Sequence, residues 1–283
     1  MARFSRRRRR AAIIRTFNNA VCWKAWAEMG GVDTNVWVRA GRWSVLLIAS
    51  RAAHPRGSRS FSRTAIMIPA PRDIFTEPSD VDPDTLANLG PLRPLAGRWR
   101  ARKGVDMAPK PEGPERRVFI ETIDFQAIDP QANGPQLFYG LRYHIHITTE
   151  EEDITFHDQV GYWLWEPATG LVLQTIAIPR GQVAIASGIA KPDAKEIVVT
   201  AKRGETEYGI CSTTFLDQAF RTDSYQITLS FHDNGTWSYV TDTELMVEGH
   251  DAPFPHQDRN TLHRVGEAHP NPWAAIVARR KTA

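Results

Sequence analysis

His256 and His263 stand seven apart in PFPHQDRNTLHRV, near the end of a chain with nine histidines and only two cysteines. An imidazole can bind a metal through one ring nitrogen while a carboxylate or carbonyl holds the other. Asp258 is the acid nearest to His256 in sequence. If residues 257–265 form a regular strand, Gln257, Arg259, Thr261, His263 and Val265 share one face. Asp258, Asn260, Leu262 and Arg264 share the other. His256, just before that strand, and His263 then point to opposite sides and do not share a metal. His256 is the first candidate ligand and His263 the alternative. The plain reading of either is a solvated loop or strand residue.

Other candidates carry a chemical and an ordinary reading together. His144-x-His146 repeats at strand spacing, so both rings fall on one face. They would make two arms of a metal clip or a polar outer surface, and the surface is preferred. His157-Asp158 reads as a base with its orienter, but strand neighbours point to opposite sides. Cys211 is a thiolate ligand or a buried inert thiol. Arg180, in IPRGQ, meets a ligand carboxylate or sits in a solvated turn. Trp163 and Trp165 share a face that lines a pocket or fills a core, and core is preferred. No second histidine stands out as a donor to a ligand bound at His256. G-x-S-x-G, a paired-carboxylate signal and a phosphate-cradling loop are all lacking. Any chemistry has to come from a bound cofactor.

The elements that would position these residues alternate with period two. In VFIETIDF, Phe119, Ile123 and Phe125 share a face that Glu121 interrupts. Tyr143, Ile145 and Ile147 lie opposite His144 and His146. HDQVGYWLWEPATGLVLQTIAI reads as strand, turn, strand. SYQITLSFHDNGTWSYVTDTEL reads as a hairpin with Asn234-Gly235 as a type I′ turn. Asp82-Pro83-Asp84 opens a short helix, with Asp82 as cap and Pro83 at its first position, and Gly90 stops it. FLDQAF gives one or two helical turns. Eight to ten strands without a βαβ rhythm predict an all-β protein with short helices, either a sandwich or a single up-and-down antiparallel barrel. The expected organisation is an Arg-rich extension over 1–66 and a lead-in with a short helix over 67–94. The barrel covers 95–265 and a loose C-terminal tail 266–283.

The net charge of +3 averages two unlike pieces. Residues 1–66 hold thirteen Arg and one Lys against Glu28 and Asp33, while the remainder holds 21 bases and 30 acids. The first piece reads as a targeting peptide, a disordered basic tail or a start called too early, with Met67 the real beginning; the last is favoured. The acidic remainder is a poor nucleic-acid binder. The longest apolar run of the first piece, WSVLLIAS, is far short of the ~20 residues that span a bilayer. No C-x-x-C-H is present, so a covalently attached c-type haem is excluded. Two cysteines make no disulfide framework and suit the cytoplasm.

Gly97-Arg98-Trp99 follows the short helix and begins the first strand. It resembles the G-x-W of lipocalin-like and fatty-acid-binding barrels, where Trp plugs the closed end and an Arg of the last strand lies over it; Arg264 is the candidate. LGPLRPLAGRW, NGPQLFYGLRYH, HDQVGYWLWEPATG, AIPRGQVAIASG and PFPHQDRNTLHRV, in that order over residues 82–265, resemble the nitrobindin-like haem-binding β-barrel family. The resemblance implies a single up-and-down, roughly ten-stranded antiparallel β-barrel around non-covalent ferric b-type haem. It places His256 at the iron, with Gly97 and Trp99 in the cofactor-binding motif. It also implies binding of nitric oxide and isomerisation of peroxynitrite to nitrate, in a largely apolar cavity. In the family's G-x-W-x-G-x-G, Ala101 and Lys103 stand where the later glycines fall, and Gly104 comes one step late. His256 lies six residues before Leu262 where the family has five, a shift that a β-bulge would absorb. The competing expectation is a haem-free carrier of fatty acid or another small apolar ligand, and a third is a barrel with a solid interior.

Overall fold

The computed structural model describes residues 73–110 and 113–282. The readings of residues 1–66, Cys22 included, lie outside the described residues. The lead-in holds α1, Thr85–Asn88. Its cap is Asp84, which accepts from the Ala87 N–H at 3.1 Å. Asp82 instead accepts from the Asp84 N–H at 2.9 Å. The helix therefore begins two residues later than Asp-Pro-Asp suggests, and Pro83 precedes it. Gly90, at φ +50°, turns the chain into a 3-10 segment, Gly90–Leu95, that buries Leu92 and Leu95 completely.

Ten long strands close the ring: β1 Gly97–Ala108, β2 Glu115–Ala127, β4 Gln136–Thr148, β5 Thr155–Glu166, β6 Leu171–Ile178, β7 Gln182–Ile189, β8 Glu196–Arg203, β10 Phe220–Phe231, β11 Trp237–Val247 and β12 Phe254–Gly266. The three-residue β3, Gln131–Asn133, adds to β4, and the four-residue β9, Gly209–Ser212, wedges between β7 and β8 as an eleventh member. One short helix, α2 (Thr214–Ala219), precedes β10. Antiparallel pairing of β1 with β12 completes the ring. The all-β class read from the period-two pattern, and the roughly ten-stranded up-and-down barrel that the resemblance implies, are thus the observed architecture. Closure matters physically because it leaves no open sheet edge and gives the chain an inside.

That inside has two halves. At the end where β1 starts, Trp99, Ile123, Phe125, Leu141, Trp163 and Leu262 form an apolar plug. Beyond it lies a polar layer. Tyr143 Oη donates to the Thr175 carbonyl at 2.8 Å and accepts from Gln159 Nε2 at 2.7 Å. Tyr225 Oη donates to Gln174 Oε1 at 3.0 Å. The expected largely apolar cavity is therefore apolar only toward its floor.

Two local expectations change. Gly235 alone of the Asn234-Gly235 pair has positive φ, +78°, and its N–H donates to the His232 carbonyl at 3.1 Å. A type I′ turn needs both central residues there, so this hairpin uses a longer loop with glycine in the left-handed position. The C-terminal segment is not loose. Helix α3, Pro272–Thr282, is anchored by the fully buried Asn271. Its side chain accepts from the Thr85 N–H at 3.1 Å and donates to the Pro83 carbonyl at 2.9 Å and to Asp129 at 2.7 Å. Replacing Asn271 by Ala is expected to cost about 2–3 kcal/mol, because partners buried with it lose their bonds. Faster proteolysis after residue 266 and an earlier urea midpoint would register that cost; an unchanged midpoint would show that the anchor carries no stability.

Candidate functional site at the barrel mouth

β12 is regular against β11 from Phe254 to Leu262, with no bulge between His256 and Leu262. His256 is thus inside the strand rather than before it. The pleat alternates, so the even-numbered set His256, Asp258, Asn260, Leu262 and Arg264 faces inward. His263 is exposed and faces out. The two histidines are on opposite faces, as alternation requires.

The register shift lies instead in β1. Ala101 pairs with Glu121 and Gly104 with Phe119, so two residues, Arg102 and Lys103, oppose one. The bulge sends both long side chains to solvent and brings Gly104 inward, where the Phe119 ring lies against it. Lys103 therefore does not occupy an inner glycine position; Gly104 does. It also brings Asp106 inward, opposite β12.

Asp106 is the partner of His256. His256 Nε2 lies 2.8 Å from Asp106 Oδ1. Asp258, the acid nearest in sequence, is 3.8 Å from the same nitrogen and is held by Thr241. One ligand atom from each of Asp106, His256 and Asp258 can be chosen so that all lie within 4.8 Å of one another. Burial is the largest influence on the imidazole and lowers its pKa. The hydrogen bond to Asp106 and the charges of Asp258 and Asp106 outweigh it, and the net shift is upward. Burial also pushes Asp106 up, but its bonds to His256 and Asp258 hold it below the usual carboxylate range. Burial, followed by neighbouring Asp106, raises Asp258 to about 7.

One rung deeper, Glu121 is 1% exposed. Tyr239 Oη and Asn260 Nδ2 both donate to its Oε2, at 2.9 and 2.7 Å. Burial raises Glu121 to about 7. The sequence signalled this residue as the one acid interrupting an apolar face, without indicating a role.

A second histidine also faces the interior. His157 sits on β5, well round the ring from β12. Its Nε2 lies 3.2 Å from Gln159 Oε1. Burial lowers its pKa, and His256 and Arg180 act on it electrostatically. The sequence marks His157 only as a partner for Asp158; it faces the interior instead. Asp158 faces outward to His144, at 3.0 Å, so it does not orient His157. His144 and His146 are on the outer face, His146 bonded to Thr155. Arg180 is exposed on the β6–β7 turn and donates to the Phe156 carbonyl at 2.9 Å. Cys211 is exposed rather than buried. Trp163 and Trp165 are core.

Gly97 and Trp99 are not brought together with His256. Trp99 pairs with Arg264, while Met107 pairs with Gln257. Eight residues of strand separate the two ends, roughly 25 Å at the usual rise. Trp99 is 1% exposed and donates from Nε1 to the Leu95 carbonyl at 2.7 Å. The Arg264 guanidinium lies 4.3 Å from its ring centroid. Gly97, at φ +114°, leaves the space that Arg264 fills. These residues form the floor.

A cleft of about 820 Å³ at the His256 end is lined mostly by outward residues of β8, β10, β11 and β12, Thr200, Lys202, Asp242, Glu244 and Gln257 among them, together with His256, Tyr225 and Phe254. That volume suits a small organic ligand. An outer cleft of about 800 Å³ lies over the β1 bulge, where Arg100, Arg102, Lys103, Arg259 and His263 gather. Glu152 pairs with Arg100 and Arg102. Among the described residues, no helix is long and apolar enough to cross a membrane.

A closed barrel with a plugged floor and an imidazole in its open mouth defines a ligand-enclosing β-barrel protein. The chain belongs to the family described as the THAP4-like, heme-binding beta-barrel domain, whose model matches residues 88–264. Among solved structures it is similar to Rv2717c from M. tuberculosis, at 20% identity over 65% of this chain and 99% of that one, with a TM-score of 0.46. No curated protein matches the chain.

Proposed function

We propose that this barrel binds ferric b-type haem non-covalently, with His256 as the protein ligand to iron. The observation that carries the reading is an inward imidazole, backed by a carboxylate at 2.8 Å, on the last strand of a closed barrel. The donor set fits the group. One ring nitrogen is available to iron while Asp106 holds the other, an arrangement that fixes the ring and raises its basicity. A ferric porphyrin core is a net cation, and Asp106 and Asp258 beside the imidazole would offset it. Lining residues Met107, Tyr225 and Phe254 supply apolar surface. Gly97 and Trp99 would serve the cofactor by closing the floor.

When bound, haem would supply an iron able to take nitric oxide or peroxynitrite, the ligands that the nitrobindin-like resemblance suggests, with isomerisation to nitrate as the activity. His157 would then offer a small ligand a ring nitrogen inside the barrel, and Arg180 would meet a carboxylate at its rim. The free thiol of Cys211 suits a reducing cytoplasm.

A haem-free carrier of fatty acid is the second reading. Inward-facing Ala101, in place of a glycine that would let backbone approach a porphyrin, favours it. Hemin titration of the full chain separates the two. The expected result is a saturable Soret band at one hemin per chain, lost in His256→Ala and kept in His263→Ala. A band that survives His256→Ala, or no band alongside saturable uptake of a fluorescent fatty acid, overturns the haem reading.

A further inference from the structure

We infer that Asp106, His256 and Asp258 form a site for a single divalent first-row transition ion when no porphyrin is present. The site uses the same imidazole as the haem reading but does not depend on that reading. Three potential ligand atoms from two neighbouring strands lie within 4.8 Å of one another. Ligands held ~2.0–2.2 Å from a metal stand about 3–4 Å apart, so small side-chain rotations close the set. His256 Nε2 is already 2.8 Å from Asp106 and 3.8 Å from Asp258.

The charge balance also points to a cation. Two inward carboxylates lie side by side with one imidazole. Among the described residues neither has a Lys or Arg within ion-pair distance. Arg117 and Arg180 act on this group only at longer range. Burying a carboxylate pair is costly unless a cation or proton joins it. Here the backbone enforces the arrangement: β12 parity brings His256 and Asp258 inward, and the β1 bulge brings Asp106 to meet them.

Two carboxylates and one imidazole select the class of ion. The imidazole favours zinc, cobalt, iron or manganese over magnesium and calcium, which prefer oxygen alone. Three protein ligands leave coordination positions open, as in catalytic rather than structural sites.

The test uses the full chain, free of haem and of chelatable metal, titrated with Co(II) and followed by its visible d–d absorption. The expected result is one Co(II) per chain, displaced by Zn(II). Affinity should fall at least tenfold in Asp258→Asn and in His256→Ala. His146→Ala, on the outer face beside His144 and Asp158, should bind as the parent does. Circular dichroism and the melting temperature confirm that the variants fold. Equal affinity in the parent and Asp258→Asn, or affinity lost in His146→Ala instead, overturns the site. Co(II) binding without a Soret band from hemin would leave this inference standing and remove the haem proposal. A Soret band that persists in Asp258→Asn, with no Co(II) uptake by the parent, would do the reverse.

Discussion

Trp99→Ala is expected to destabilise the barrel by about 3–5 kcal/mol, the usual cost of emptying a buried Trp site. Three contacts go together. The indole loses its edge-on packing against Trp237, at a centroid distance of 5.9 Å. The Leu95 carbonyl loses its donor. Arg264 loses the ring beneath it, a contact worth ~0.5–2 kcal/mol when shielded. Arg264 keeps its bonds to the Ala96 and Pro94 carbonyls. The Arg264→Ala change should therefore cost less than Trp99→Ala, and the double variant less than the sum. Urea denaturation of the four proteins measures this cycle. A loss below about 1 kcal/mol for Trp99→Ala would mean that the floor is held by the buried leucines of the lead-in rather than by the indole. Hemin or Co(II) affinity at the mouth should change little, because roughly 25 Å of strand lies between the two ends.

Glu121→Gln should stabilise the protein at alkaline pH and flatten the dependence of stability on pH. Glu121 titrates at about 7 when folded, against an ordinary value of 4.5. Between those values the folded chain holds a proton that the unfolded chain has released. Folded stability therefore falls as pH rises through that window and levels off above it. A tenfold change in proton affinity corresponds to about 1.4 kcal/mol, so the effect is on the order of 3 kcal/mol. Gln keeps an acceptor for Tyr239 and Asn260 without the charge. Asp258, also raised to about 7, acts with the same sign. So does His256, whose raised pKa adds stability at low pH that is lost as pH climbs through its folded value. Some slope should remain in Glu121→Gln for that reason. Melting temperatures on the acid and alkaline sides of that window, about pH 4 and about pH 8.5, are the measurement. The parent should lose stability between them, and the variant should lose less and exceed the parent on the alkaline side. A variant less stable than the parent there would show that an ionised Glu121 is favourable where it lies.

How much of the site could be read from the chain depends on how far apart its parts are in sequence. Alternation along one strand is local, so placing His256 and Leu262 on one face and His263 on the other needed only the parity of β12. The G-x-W start and Arg264 were legible as a floor and its lid only through the resemblance to other ligand-binding barrels. Asp106 was not. It is 150 residues from His256. It reaches the imidazole only because β1 closes the ring against β12 and because a bulge at Arg102-Lys103 reverses the parity of the strand beyond it. Nothing in RARKGVD marks where an extra residue will be taken up. His157 was passed over for a related reason. Alternation separated it from its adjacent acid, as observed, but which of the two faces the interior depended on how β5 sits in the ring.

Short-range rules were enough for the strand pattern, the all-β class and, wherever no bulge intervenes, the side of the sheet on which a strand residue falls. Period-two alternation and backbone sterics act within a few residues, so they can be read along the chain. Which inward side chains meet is another matter. Asp106 with His256, Glu121 with Tyr239 and Asn260, and Asn271 with the lead-in are pairs that exist only once the ring has closed. Register across a closing ring is a non-local quantity, set by packing of the whole barrel, and a one-residue bulge in one strand changes every neighbour beyond it.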